Sequence, residues 1–161
     1  MRIYLASPLF TQFERRWNRE IADGIKKGLP GAIVILPQDF KVSKKFNDPR
    51  HFGELFAMCV KEIERCDVLL AVLDGSDCDS GTAFEVGYAY AKGKPIVGLR
   101  TDFRQSQEKG LNIMLARACD YFIPDLSFRE DSELIIRDII RRLKDVRKRM
   151  EDSSDTEAPS K

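Results

Sequence analysis

Histidine occurs once in the 161 residues, at His51. A single imidazole, with no nucleophile–histidine–acid set in view, argues against a serine or cysteine hydrolase built on a triad. It also leaves the four cysteines, Cys59, Cys66, Cys78 and Cys119, without the partners of a zinc site, and none forms a CxxC pair. The phosphate-cradling patterns GxxxxGK[ST] and GxGxxG are both missing, which removes the main signal of an NTPase or a dinucleotide oxidoreductase. Charge of one sign is missing as well. Lysine and arginine number 27 against 26 aspartates and glutamates, a net of +1, so nothing pulls the chain generally toward nucleic acid or an anionic membrane. No apolar run approaches the length of a membrane span, and the apolar opening is too short for a signal peptide. These absences predict a cytoplasmic protein with reduced thiols, no metal or other cofactor, and neither a nucleic-acid nor a membrane partner.

What is present alternates between two patterns. Short apolar runs at 3–6, 32–36, 68–73, 95–99 and 121–123 read as strands. Helical spacing covers 11–27, 51–65, 82–92, 112–117 and 132–150. In the first helix Phe13, Trp17, Ile21 and Ile25 recur every four residues. Phe13 and Trp17 are therefore expected in the core or at a contact between subunits. The strands are apolar on both faces, as in a parallel sheet covered by helices. Five such strands predict an α/β, flavodoxin-like, doubly wound sheet of order 2-1-3-4-5 in a three-layer sandwich. One domain is expected over residues 1–150, and a disordered polar tail over 151–161. In this order the switch point lies between strands 1 and 3, at their C-terminal ends. The segments there are Ser7 to Phe10 and Asp74 to Glu85. They supply Ser7, Pro8, Phe10, Asp74 and Gly81 as candidate substrate contacts, with Phe10 placed to stack on a ring.

The second segment, Asp74-Gly-Ser-Asp77-Cys-Asp79-Ser-Gly-Thr82-Ala-Phe-Glu85, holds four acids around the start of a helix. With Thr82 opening the helix, Glu85 falls in the first turn, where the helix N-terminus favours an ionised carboxylate. A charged carboxylate aimed into a crevice can attack an electrophilic carbon. A second acid nearby can protonate a leaving group, and this division of roles is what cleavage of a glycosidic bond through a covalent intermediate requires. The alternative is structural: Thr82-x-x-Glu85 is also a capping box, in which Glu85 folds back onto its own helix.

The run Asp79-Ser-Gly-Thr-Ala-Phe-Glu85-Val-Gly-Tyr-Ala, followed by Gly93-Lys94-Pro95, resembles the signature of the nucleoside 2-deoxyribosyltransferase family. So do the opening Ile3-Tyr4-Leu5-Ala6-Ser7-Pro8-Leu9-Phe10, the Leu36-Pro37-Gln38-Asp39 turn and Leu111-Asn112-Ile113-Met114-Leu115. The resemblance implies that Glu85 is the nucleophile at C1' of a 2'-deoxyribose. It gives Asp79 a place beside base and sugar to assist proton transfer, and Tyr4 the task of orienting the glutamate. It brings Asn112, with Met114 beside it, to a neighbouring subunit's site near the sugar's 5' side, and hence implies at least a homodimer with shared sites. Gln38 and Asp39 fall near base or sugar. The partners implied are a nucleoside or nucleotide and a free nucleobase.

The chain departs from the family at two places. Ser7 stands where the opening strand usually ends in glycine. Cys59 stands where many members have an aspartate or asparagine, and a thiol cannot replace a sugar-binding carboxylate. Three functions remain open at this point: a deoxyribosyltransferase, an N-glycosidase of 2'-deoxynucleoside 5'-monophosphates, and a nucleotide-binding module without turnover. Asn112 and the loop Ser7-Pro8-Leu9-Phe10 favour the first.

Overall fold

The apolar runs become five parallel strands of one sheet: β1 (Arg2–Ala6), β2 (Ile33–Ile35), β3 (Val68–Val72), β4 (Ile96–Arg100) and β5 (Tyr121–Pro124). Their order is β2-β1-β3-β4-β5, as the pattern predicts. Helices α1 (Gln12–Gly28), α2 (His51–Arg65), α3 (Ser80–Ala91), α4 (Ile113–Ala118) and α5 (Ser132–Thr156) connect and cover them, with a 3₁₀ turn at Pro37–Asp39. This computed structural model describes residues 1–104, 107–108, 110–125 and 131–156. Among the described residues no helix is long and apolar enough to cross a membrane.

Side chains alternate across a strand, so each strand feeds two cores. On one face Ile3, Leu5, Leu70, Val97 and Leu99 pack with Ile21 and Ile25 of α1 and with Ile139 and Leu143 of α5. On the other, Tyr4, Ala6, Leu69, Ala71 and Leu73 pack with Ile63 of α2 and with Val86 and Ala89 of α3. The central strand β3 is buried at all five positions, which is why it reads as an unbroken apolar run. The parallel register Ala6↔Ala71 sets the C-terminal ends of β1 and β3 side by side. The loops that leave those ends meet at the switch point.

Two expectations change. Phe13 is 82% exposed and joins no core, whereas Trp17 packs against the α1–α5 side. The helix begins at its capping box, Thr11 with Glu14, and its buried face is Asn18, Ile21, Ala22 and Ile25, which leaves Phe13 on the solvent side. The last helix continues to Thr156, past the expected boundary at 150. Glu151 and Asp152 extend the turn, and the Ser153 hydroxyl bonds back to the Arg149 carbonyl at 2.8 Å. Residues 157–161 of the expected tail lie outside the described residues.

Helices α1 and α5 approach closely through glycine. A Cβ at Gly24 would stand 2.6 Å from Cγ2 of Ile136. Overpacking such a contact costs roughly 1–3 kcal/mol. Gly24→Val is therefore expected to lower the denaturant midpoint with an unchanged slope; an unaltered midpoint would show that the interface yields freely.

Candidate active site

Helix α3 sets the geometry. Asp79 is its N-cap: Oδ2 accepts from the Thr82 amide at 2.8 Å and from the Thr82 hydroxyl at 3.1 Å. The helix thus opens at Ser80 rather than Thr82, and Glu85 falls in its second turn. The capping-box alternative does not form, because Asp79 occupies the cap and Glu85 turns away from its own backbone. Oε1 of Glu85 instead accepts a 2.5 Å hydrogen bond from the hydroxyl of Tyr4.

Tyr4 is wholly buried in β1. Burial first, and then the neighbouring Glu85 and Cys59, hold its phenol well above the usual range, so it remains a donor. Glu85 is pushed up to about 7, chiefly by burial and further by the charge of Asp79, while the Tyr4 bond pulls the other way. This corrects the expectation that the helix N-terminus holds Glu85 ionised. The field of a helix end fades within one turn, and desolvation prevails in the second.

In front of Glu85 lies a cavity of about 330 Å³, within the range of small-molecule sites. The β1 loop supplies Ser7, Leu9 and Phe10; the 3₁₀ turn supplies Pro37. Helix α2 adds Phe52, Leu55, Phe56 and Cys59, and the start of α3 adds Asp79, Gly81, Thr82, Phe84 and Glu85. Four phenylalanines make the wall aromatic, and among the described residues no lysine, arginine or histidine belongs to it. Both described hydrogen bonds of the Asp79 carboxylate run through Oδ2.

Of the candidates, Ser7, Phe10, Asp79, Gly81 and Glu85 come together on this wall, with Tyr4 directly behind Glu85. Pro8, Gln38, Asp39, Asp74, Asn112 and Met114 do not line it. Their side chains or carbonyls build the frame. The Ser7 hydroxyl donates to Oδ1 of buried Asn18 at 2.7 Å. Asn18 Nδ2 in turn donates to the Pro8 carbonyl at 3.0 Å and to Gln38 Oε1 at 3.1 Å. Gln38 Nε2 goes to the Arg15 carbonyl at 3.1 Å, and Asp39 pairs with Arg19. Asp74 is turned from the cavity to the loop after β4: it accepts from the Thr101 amide and hydroxyl, both at 2.6 Å, and from the Asp102 amide at 3.0 Å. Gly75, at φ 113°, makes the bend that allows this. Asn112 caps α4 by accepting from the Met114 amide at 2.9 Å. Met114 lies 76% exposed in an apolar groove between α3 and α4, beside Ile113 and Tyr90.

The sequence analysis missed the α2 side of the wall. Phe52 and Phe56 sit one helical turn apart, and that stripe was the available signal. Buried Arg100 was missed too. Its guanidinium donates to the carbonyl of Leu73 at 2.6 Å, of Gly75 at 3.3 Å and of Arg104 at 3.0 Å, tying the loops after β3 and β4 together. His51 lies away from the wall, contacting the Lys44 carbonyl at the start of α2.

Because folding raises the Glu85 value from 4.5 to about 7, the native state is favoured fully below the lower figure and loses that advantage as pH rises through the higher one. Glu85→Gln keeps the shape and an acceptor for Tyr4. It is expected to be more stable than the wild type at about pH 8 and equal to it near about pH 4. Equal differences in denaturation midpoint at the two pH values would rule out burial of the carboxylate as the cause.

A family model described as nucleoside 2-deoxyribosyltransferase matches residues 3–114. A stretch of 53 residues is 45% identical to an uncharacterized protein of Schizosaccharomyces pombe, over 30% of this chain and only 25% of that protein. The structure of a conserved protein from Enterococcus faecalis superposes with a TM-score of 0.67 at 26% identity, covering 88% of this chain and 98% of the other. The 2-deoxyribosyltransferase from Bacillus psychrosaccharolyticus shares the fold with a TM-score of 0.69 at 22% identity, over 87% of this chain and 90% of its own. The matched stretch contains every residue of the cavity wall, and the chain belongs to the nucleoside 2-deoxyribosyltransferase family, as an enzyme acting on N-glycosidic bonds.

Proposed function

We propose that the protein is a nucleoside 2-deoxyribosyltransferase using unphosphorylated 2'-deoxynucleosides. The observation that carries this reading is the Glu85 carboxylate, held by Tyr4 at the wall of an aromatic cavity. Ionised Glu85 attacks C1'. The C1'–N bond breaks, and the base departs with the electron pair and takes up a proton, assisted by Asp79. The deoxyribosyl group remains as an ester on Glu85. A second base attacks C1', releases the carboxylate and gives up its proton. Phe10, Phe52, Phe56 and Phe84 offer faces on which bases stack, and they keep water from the ester. The described wall is aromatic and carries no cation to pair with a 5'-phosphate, which supports a nucleoside over a nucleotide.

The same proposal includes a cytoplasmic location, in keeping with four free thiols, and a homodimer or larger assembly. The exposed Ile113, Met114 and Tyr90 flanking the α3–α4 groove give such an assembly an apolar surface. In it Asn112 and Met114 would reach a neighbour's site.

Incubation of a deoxynucleoside with a second free base, followed by chromatography, decides among the functions. A new nucleoside is expected. Free base alone, or release only from 5'-monophosphates, would identify a hydrolase. The absence of both products would remove the catalytic reading. Ribonucleosides are expected to react far more slowly, because a 2'-hydroxyl withdraws electrons from an oxocarbenium-like transition state; equal rates would contradict the deoxyribosyl assignment.

Turnover requires ionised Glu85, so activity should rise through about pH 7. Tyr4→Phe removes the bond that favours ionisation. The acid limb of kcat is expected to move up by about 1–2 units, the equivalent of the ~1.5–3 kcal/mol of a hydrogen bond to a charged group. A limb that stays in place would show that Tyr4 does not govern Glu85.

A further inference from the structure

One buried polar side chain stands off the cavity, yet each of its hydrogen bonds ends beside it. Asn18 of α1 is 3% exposed and is no part of the wall. Its Oδ1 accepts from the hydroxyl of Ser7, a wall residue, at 2.7 Å. Its Nδ2 donates at 3.0 Å to the carbonyl of Pro8, which stands between the wall residues Ser7 and Leu9. The same Nδ2 donates at 3.1 Å to Oε1 of Gln38, the neighbour of the wall residue Pro37.

Donors and acceptors along this chain fit together in one arrangement. The Pro8 carbonyl can only accept, so it faces the nitrogen of Asn18 and leaves Oδ1 to the Ser7 hydroxyl. At the far end the Arg15 carbonyl can only accept, so Gln38 gives it Nε2, at 3.1 Å, and keeps Oε1 for Asn18. Neither amide can turn over without setting acceptor against acceptor. The carbonyls of Leu9 and Phe10 are drawn back to the same helix, each accepting from Arg15 Nη1 at 2.9 Å. The β1 loop thus turns three successive carbonyls onto α1 and leaves the side chains of Leu9 and Phe10 to the cavity.

We propose that Asn18 is a positioning residue for the nucleobase: it fixes the spacing between Phe10 on the β1 loop and Pro37 on the 3₁₀ turn, and so sets how tightly the cavity holds the base. The proposal rests on the deoxyribosyltransferase reading and adds to it what governs base affinity. Asn18 ties loop and turn to one helix, and that helix is anchored in the core through Ile21 and Ile25. Neither Tyr4 nor Glu85 belongs to its chain of bonds. Loss of Asn18 therefore loosens the hold on the base and leaves the nucleophile as it is. A buried donor deprived of its acceptors, or an acceptor set against a carbonyl, forces the loop to move.

The test uses Asn18→Asp and Gln38→Met. The first keeps the shape and the acceptor for Ser7, but sets an oxygen against the Pro8 carbonyl and Gln38 Oε1. The second breaks only the outer link, at a half-buried position and without a buried charge, so it remains readable if the first does not fold. The KM for the acceptor base is expected to rise about tenfold in Asn18→Asp and about threefold in Gln38→Met, with kcat within about twofold of the wild type. The acid limb of kcat should stay in place in Gln38→Met. NMR of protein carrying ¹³C-labelled phenylalanine reads the wall without turnover: the ring signals of Phe10 should move in both variants, and those of Phe122, which is no part of the wall, should not. A fall in kcat at constant KM would mark the chain as merely structural and overturn the proposal, as would unmoved Phe10 signals. Absence of any base exchange in the wild type would defeat the functional reading, and the Phe10 signals would still decide whether Asn18 places the wall.

Discussion

The hydrogen bond between Tyr4 and Glu85 joins the packing of this fold to its proposed chemistry. Tyr4 lies in the sheet, within an apolar layer where a lone hydroxyl needs a partner. Glu85 lies on a helix packed over that layer, where a lone carboxylate needs one more urgently. Each satisfies the other. The contact requires β1 and α3 to sit in one register, and β3, which pairs with β1 and leads into α3, sets it. Burial raises Glu85 and the tyrosine restrains that rise. A carboxylate poised near neutrality follows from these two opposed effects.

The rest of the site is a frame of loops tied to one another. Asn18 holds the turn after β1 to Gln38, and Asp74 with Arg100 holds the turn after β3 to the loop after β4. These polar residues carry none of the proposed bond-making. They fix backbone that is irregular, and irregular backbone needs such partners when it is buried. The aromatic wall then rests on a scaffold of defined position, which suits a reaction that depends on orientation.

Much of this was legible before any coordinates. Strands apolar on both faces can only be covered strands, and their alternation with helices predicts the sheet order and the switch point. Glu85 and Asp79 stood out because acids cluster at one helix start. The start itself was misread, since Asp79, Ser80 and Thr82 are all able caps and the choice depends on tertiary fit. Asp74 and Gln38 stand off the wall for a related reason: a polar loop residue beside a pocket either faces in or serves as a brace, and sequence does not tell which. Of the two places expected for Phe13, core or subunit contact, its exposure removes the core, because the period that its neighbours obey turns it to the solvent side. Arg100 ends an apolar strand, where a buried guanidinium satisfied by carbonyls leaves no trace in a hydropathy pattern.

Asp79 carries a consequence of its own. Its Oδ2 seals the first turn of α3, and the residue lines the cavity. The residue that would serve the leaving base is thus also the one that anchors the helix bearing the nucleophile. No substitution adjusts either duty alone: a neutral amide preserves the seal and forfeits the acid, and a smaller residue forfeits both.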